Sequence, residues 1–251
     1  MQTWKNHTVP KEWKRGQESV QQILQDWDYV YMTDEDNANF VHTYFPEHEI
    51  AFHKLPYNIQ RADVIRYMWL YVHGGLYLDM DYELLKDPTE FWEGLTASVF
   101  VVHSPNVQYV LTNSLILAKP QRPLFLSLIS KALYRSLPFY YAGKHIQVMF
   151  STGPMVFHET VVSSDEGFVV LPRKLFLPSN SIEEEHAFAR ALVGQSWNAI
   201  DSFMLNFLLK YRTEIALCLG AIVIYVTRGF FQYRQKAMFL LRHVARLKRK
   251  E

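Results

Sequence analysis

Cysteine is almost absent: Cys218 is the single one in 251 residues. One thiol can form neither an intrachain disulfide nor a cysteine-based zinc site, so neither device holds this fold. Glycine and proline are sparse, at 10 and 11. No repeat and no low-complexity linker breaks the chain, which excludes fibrous and solenoid architectures. Neither sign of charge dominates, with 26 Lys/Arg against 25 Asp/Glu. That balance speaks against a nucleic-acid-binding body. The opening MQTWK has no apolar core, so no secretory signal peptide is expected there. The most apolar stretch near the C-terminus, IALCLGAIVIYVT at 215–227, is 13 residues long. A membrane span needs roughly 20.

What the chain has is apolar and aromatic mass. Hydrophobic residues make up 49% and aromatics 15%, enough for a sizeable core and too much for disorder. The length suits one large domain with an appendage, which we place at 1–210 and 211–251. Charge is uneven between them. Before Arg228 there are 18 Lys/Arg and 24 Asp/Glu, a formal −6, and from Arg228 to Lys250 there are eight basic residues and no acid. Phe230, Phe231, Met238, Phe239, Leu241, Val244 and Leu247 are interleaved with them. That composition suits a basic helical tail lying on an anionic membrane surface; the plainer alternative is a packed helix with a solvated basic face.

The sharpest local feature is HGGLYLDMDYE at 73–83. A short strand, LYL, runs into Asp79-Met80-Asp81. In an extended strand residues i and i+2 share a side, so the two carboxylates would stand together while Met80 turns to the core. Paired hard oxygens suit Mg²⁺ or Mn²⁺. Such close like charges repel unless a cation separates them.

Upstream, NIQRADVIRYMWLYVH at 58–73 reads as a helix closed by Gly74 and Gly75. Ile65, Met68, Trp69 and Val72 share one face. Asp63 and Arg66 lie opposite, flanked by Ile59 and Leu70, so the charged pair is a buried ion pair, a binding site or an ordinary i,i+3 surface pair. Thr33 and Asp36 read as a capping arrangement opening a helix from about Asp34 to Tyr44, with Asp34, Glu35 and Asp36 as helix-start charge. WDYVYM at 27–32 alternates like a strand, and ASVFVVH at 97–103 is another. LFLSLISKALYRSL from Leu124 is an amphipathic helix. FVVLPRKLFLP at 168–178 reads as two short strands broken by Pro172. Helices and strands alternate, so the class is α/β, and the D-x-D falls at a strand's carboxyl end, where ligands of open α/β sheets sit.

Taken together, QTWKNHTVPKEWK (2–14), RADVIRYMWLYVHGGLYLDMDYE (61–83), TGP (152–154) and GQSW (194–197) occur in an order that resembles glycosyltransferase family 32. That group includes initiating α-1,6-mannosyltransferases and inositolphosphoceramide mannosyltransferases. The resemblance runs from Gln2 to about Asp201. A-D-x-x-R-Y followed by G-G-x-Y-x-D-x-D is its specific part.

The resemblance implies a GT-A fold, a Rossmann-like nucleotide-binding sheet beside an acceptor cleft. It implies a nucleotide-sugar donor (GDP-mannose or a UDP-sugar), a glycan or glycolipid acceptor, a divalent cation (Mn²⁺ or Mg²⁺), and transfer with retention. By the family's pattern Asp63 and Arg66 match donor-sugar contacts, and Asp79 lies near ribose and metal. Asp81 is the direct metal ligand, Trp4 lies beside the nucleotide base, and Ser196 and Trp197 belong to a loop closing over the diphosphate. Two positions depart from it. Met1 stands where members carry a His after a first strand, an expected loss of half a strand or of an N-terminal piece. Ala191 and Val193 stand where members often carry a His. A haloacid-dehalogenase phosphatase is the rival use of D-x-D, but Tyr82 and Glu83 follow where that chemistry wants Thr or Gly-Thr. A degenerate transferase serving as a membrane-bound scaffold is the alternative from another class.

Overall fold

A computed structural model of the chain describes residues 1–93, 97–104, 109–135, 143–178 and 181–192, together with scattered positions between 211 and 230. In chain order the elements are β1 (Gln2–Thr3), α1 (Lys11–Ile23), β2 (Tyr31–Met32), α2 (Asp34–Tyr44), α3 (Glu49–His53), α4 (Asn58–Val72), β3 (Gly75–Leu78), β4 (Tyr82–Leu84), α5 (Thr89–Glu93), β5 (Val99–His103), β6 (Leu111–Ala118), α6 (Pro123–Tyr134), α7 (Gly143–Ser151), α8 (Pro154–Val162), β7 (Val169–Leu171), α9 (Arg173–Phe176), α10 (Ser181–His186) and β8 (Ala189–Ala191). The class is mixed α/β.

The central sheet has the order β3-β6-β5-β7. β6 is antiparallel to both β3 and β5, while β5 and β7 are parallel. Side chains alternate between two cores, with a shift of register at a bulge between Val101 and Val102. Tyr77, Val99, Val101, Ile116 and Ala118 enter one core with α4, α6 and α8. Leu76, Leu78, Phe100, Val102, Leu115 and Leu117 enter a second core with Trp92 and Phe176. A sheet buried on both faces needs apolar residues at every position, and that is why these strands read as continuous hydrophobic runs. β1 and β2 form a parallel pair of two residues each. They reach β3 through Met1, whose carbonyl accepts from the Leu78 N–H at 3.3 Å. β4 pairs with β8 antiparallel.

Local chemistry fixes the joints. Gly74 and Gly75 both take positive φ, 66° and 84°, a region that a side chain disfavours. A Cβ on Gly74 would also sit 2.7 Å from the Ala118 carbonyl oxygen. That turn sends the chain from α4 directly into β3. At α2 the capping box is present: the Asp36 N–H donates to Thr33 Oγ1 at 3.2 Å, and the Thr33 N–H donates to Asp36 Oδ2 at 2.9 Å.

Four expectations change. The strand-like WDYVYM contributes only Tyr31 and Met32 to a strand. The stretch after Pro172 is one helical turn, α9, because Pro at the N-cap starts a helix as readily as it ends a strand. α4 is not two-faced: Asp63, Val64, Ile65, Arg66, Tyr67, Met68 and Leu70 are all buried. The D-x-D is not part of an extended strand. β3 ends at Leu78, and Asp79 to Tyr82 form a turn closed by the Tyr82 N–H to the Asp79 carbonyl at 3.2 Å.

By compactness the chain divides into Met1–Asn198 and Ala199–Glu251. In the second unit the described positions between 213 and 228 are helical, and Leu217, Ile222, Val223, Ile224, Tyr225 and Val226 are exposed there. Among the described residues no helix is long and apolar enough to cross a membrane. The basic tail from 231 onward lies outside the described residues.

Candidate active site

The site grows from the C-terminal end of β3. Asp79 leaves the strand with its N–H bonded to the Ser114 carbonyl at 2.9 Å. Behind it, Arg66 on α4 is 2% exposed and bonds to protein through all three of its nitrogens. Nη1 donates to Asp79 Oδ1 at 2.9 Å and to the Asn113 carbonyl at 2.8 Å, Nη2 lies 3.0 Å from Asp63 Oδ1, and Nε donates to the Ala62 carbonyl at 3.2 Å. The Tyr77 ring stacks under the guanidinium at 4.5 Å, and its hydroxyl donates to Asp79 Oδ1 at 2.6 Å. Bridging two carboxylates and two carbonyls from one planar group needs the fixed fork of Arg rather than Lys.

Asp63, 3% exposed, holds the far side of Arg66. Its Oδ1 accepts from Asn113 Nδ2 at 2.8 Å and its Oδ2 from the Thr152 hydroxyl at 2.8 Å. Tyr67 completes the cluster, accepting from Asn113 Nδ2 and donating to the Thr152 carbonyl, each at 2.8 Å. Of the readings left open for this pair, the structure gives the buried ion pair. Burial pushes the Asp63 carboxyl up to about 6, against the opposing pull of Arg66 and its hydrogen bonds. Burial works against the Arg66 charge too, but Asp79, Tyr77 and Asp63 outweigh it and raise its pKa. Each polar side chain of the Asp63, Arg66, Tyr67, Asn113 and Thr152 cluster is paired, as the cost of an unpaired one requires.

In front of Asp79 opens a cleft of about 430 Å³, lined among others by Trp4, Arg66, Tyr77, Asp79, Met80 and Asp81. The D-x-D carboxylates therefore share one wall even though a turn, not a strand, brings them there. Burial and then the neighbouring Asp79 push the Asp81 carboxyl up to about 7. Trp4 leaves β1 with its N–H on the Met32 carbonyl at 3.0 Å and packs edge-to-face on Trp13 at 5.0 Å. Asp63 does not line the cleft. Ser196 and Trp197 lie outside the described residues. Lys5, Trp13, Asp34, Tyr57, Asn58 and Lys144 line the cleft as well, without having stood out as site residues in the sequence.

The turn is held from behind as well. α1 passes so close to it that a Cβ on Gly16 would overlap the Tyr82 carbonyl oxygen and lie 3.0 Å from that of Met80. Next along, buried Glu83 is clamped by Arg15 at 2.5 Å and by Arg190 of β8 at 2.8 Å.

The two carboxylates fit a hard divalent cation. Their donors are oxygens and both line one cleft; burial and then the charge of Asp79 raise the Asp81 carboxyl, and a bound cation would offset both. Among the described residues no group of three or more His, Cys, Asp or Glu gathers as a metal cage. Two carboxylates completed by substrate phosphates and water is the usual arrangement for Mg²⁺-type sites.

Residues 10–99 match the family described as "Glycosyltransferase sugar-binding region containing DXD motif". The resemblance read from the motifs is thereby borne out. The matched residues include α4, the Gly turn and the D-x-D, that is, the Asp63–Arg66–Asp79 chain of contacts. Among curated relatives, inositol phosphoceramide mannosyltransferase 3 of Schizosaccharomyces pombe is 29% identical over 91% of this chain and 64% of its own length. Inositol phosphoceramide mannosyltransferase 2 of the same yeast is 35% identical over 61% of this chain and 43% of its own. The chain thus spans less than two-thirds of the length of either relative. Among solved structures, the PaToxG glycosyltransferase gives a TM-score of 0.48 at 15% identity, over 64% of this chain and 66% of that one.

Proposed function

We propose that this chain is the catalytic part of a GT-A-type glycosyltransferase that moves a hexose, with mannose the best-supported choice, from a nucleotide sugar to a glycolipid acceptor at a membrane surface. The observation that carries the reading is the D-x-D turn. Asp79 and Asp81 line the same cleft as Trp4, and Asp79 is anchored by the buried Arg66. The acceptor class and the sugar rest on the names of the similar proteins, which are inositol phosphoceramide mannosyltransferases.

The residues divide the work. Asp81 and the free oxygen of Asp79 would hold Mn²⁺ or Mg²⁺. Such a cation neutralises charge on the diphosphate as it leaves. Arg66 fixes the Asp79 carboxylate, and Asp63 keeps Arg66 charged and oriented from behind, so that the cleft is organised before substrate arrives. Contacts from Arg66 and Asp63 to the donor sugar remain part of the proposal, although in this arrangement both Asp63 oxygens are bonded within the protein. Trp4 packs on the base. Ser196 and Trp197 would close over the diphosphate and exclude water, the competing acceptor. The anomeric centre becomes oxocarbenium-like, as in other glycosyl transfers. Retention then follows from attack by the acceptor hydroxyl on the face that the diphosphate leaves.

The test is donor turnover with Mn²⁺ across GDP-mannose, UDP-glucose, UDP-galactose and UDP-N-acetylglucosamine, for the wild type and Asp81→Ala. Turnover of one donor that vanishes in the variant is expected. Absence of turnover and of Mn²⁺-dependent nucleotide binding would sink the proposal in favour of a catalytically inert, scaffolding homologue.

A further inference from the structure

Asp34 is only partly spent by the fold: it feels the charges of Arg61 and Lys5. It opens α2, but the capping there is done by Thr33 and Asp36. Among the described residues the Asp34 carboxylate has one hydrogen bond, a long one of 3.3 Å from Asn58 Nδ2 to Oδ2. It nevertheless lines the cleft, on the stretch that also carries Trp4 and Lys5. The Asp34 N–H reaches the Lys5 carbonyl at 3.4 Å, so β1's exit and α2's start are stitched together. The Lys5 ammonium lies 5.7 Å from the Trp4 ring centroid. An aromatic ring, a carboxylate and an ammonium from neighbouring segments thus line the cleft, with the D-x-D carboxylates lining it too.

Nucleobases differ in what they offer such a trio. The Watson–Crick edge of guanine presents two adjacent N–H donors, N1 and N2, next to the O6 acceptor. A carboxylate accepts from both donors in a fork, and a neighbouring ammonium donates to O6. Uracil presents one N–H between two carbonyl oxygens. A carboxylate fitted to it gains one bond and sets its second oxygen against a carbonyl, which is repulsive. A fixed acid beside a base-stacking ring therefore discriminates by attraction toward one base and by repulsion against the other.

We propose that Asp34, assisted by Lys5, reads the base of the donor nucleotide and selects guanine over uracil. The assignment rests on the reading of the cleft as a nucleotide-sugar site. It makes Asp34 a specificity residue, separate from the carboxylates that hold the cation.

Affinities for GDP, UDP and IDP, measured by calorimetry with Mn²⁺ on the full chain, test it. IDP differs from GDP only by lacking the N2 amine. For the wild type, GDP should bind at least about tenfold more tightly than either UDP or IDP, the loss expected for a charge-assisted hydrogen bond. In Asp34→Asn the GDP-over-IDP gap should collapse, with UDP binding unchanged or improved. The IDP comparison needs no variant, so a folding defect in Asp34→Asn leaves the wild-type arm decisive. Equal wild-type affinities for GDP and IDP, or a gap that survives in Asp34→Asn, would overturn the assignment while leaving the nucleotide site intact. If none of the three nucleotides binds, the reading of the cleft falls, and this inference with it.

Discussion

Arg66 Nη1 stands 2.9 Å from Asp79 Oδ1 while Nη2 of the same side chain stands 3.0 Å from Asp63 Oδ1. One guanidinium thus ties the interior of α4 to the first carboxylate of the D-x-D. Removing it should do two kinds of damage. Arg66→Ala leaves Asp63 buried without its charge partner, a loss of about 3–5 kcal/mol, readable as a lower denaturant midpoint. Arg66→Lys keeps the charge but not the fork. It should fold with a smaller loss and still show Mn²⁺-dependent nucleotide binding weakened about tenfold or more, consistent with the loss of a charge-assisted hydrogen bond. Equal behaviour of Arg66→Lys and wild type would remove the positioning role.

Asp81→Ala should part binding from folding. Its carboxyl is pushed up to about 7 by burial and by Asp79, so the folded chain carries a repulsion at neutral pH. Removing the acid should leave the melting temperature unchanged or raised in the absence of cation, while Mn²⁺-dependent nucleotide binding disappears. Loss of both together would mean the carboxylate is structural.

The same shift sets a pH dependence. The folded pKa of Asp81 lies above the ordinary carboxylate value, so the folded chain holds this proton more tightly than the unfolded one. That contribution to stability is complete below about pH 4 and is lost as pH rises through about 7. Cation binding has the opposite sense, since it takes the deprotonated form. Mn²⁺-dependent nucleotide binding should be about tenfold weaker at pH 6 than at pH 8. Titration calorimetry across that interval reads it directly, and a flat profile would show that Asp81 stays ionised throughout.

Gly16 offers a test from a distance. Any side chain there meets the Tyr82 and Met80 carbonyls. Gly16→Ala should cost about 1–3 kcal/mol of stability through overpacking and displace the turn. Donor turnover should then fall by more than the folded fraction explains, measured at a temperature where circular dichroism shows the variant folded. Turnover that tracks the folded fraction would mean that α1 moves instead of the turn.

Thr152→Val tests the rear of the network. It removes the hydroxyl on Asp63 Oδ2 at nearly constant shape and leaves a buried acceptor unpaired, at about 1–3 kcal/mol. Thr152→Ser keeps the hydroxyl and should recover most of that loss in a chemical melt. No difference between Val and Ser would show that Asp63 finds another partner.

Much of this was legible beforehand, for identifiable reasons. The D-x-D, the Gly turn and α4 stand out because their residue types are rare in combination. α2 announces itself through Thr33 and Asp36. α1 stayed hidden because only Trp13, Gly16 and Val20 of its 13 residues are buried: their spacing is helical, but one of the three is a glycine, so just two apolar side chains marked the face. Asp63 and Arg66 could not be assigned while α4 was read as two-faced; only the packing of the sheet, α6 and α7 around it makes them interior. Asn113 had a weak signal, a polar residue inside the apolar run LTNSLILA. Thr152 was visible only as part of TGP. What pairs them with Asp63 is contact across 50 and 89 residues of chain, and no local pattern carries that. Asp34 was read as helix-start charge because capping logic accounts for the whole acidic triplet, whereas Asp36 alone does the capping.

The two walls of the cleft are held by very different amounts of structure. Asp79 hangs on the central sheet and a saturated ion cluster. Trp4 and Lys5 follow a strand of only two residues, held by backbone bonds to Val30 and Met32, by Met1 on β3, by the side chains of Gln2 and Thr3 and by the Asp34 N–H on Lys5, outside the four-stranded sheet. Local opening needs less free energy where fewer bonds must break at once. Amide hydrogens around Trp4 should accordingly exchange with solvent well before those of Ile116, through excursions that leave the sheet closed. Such a wall could let go of a spent nucleotide at its base end while the carboxylates stay in register for the next one.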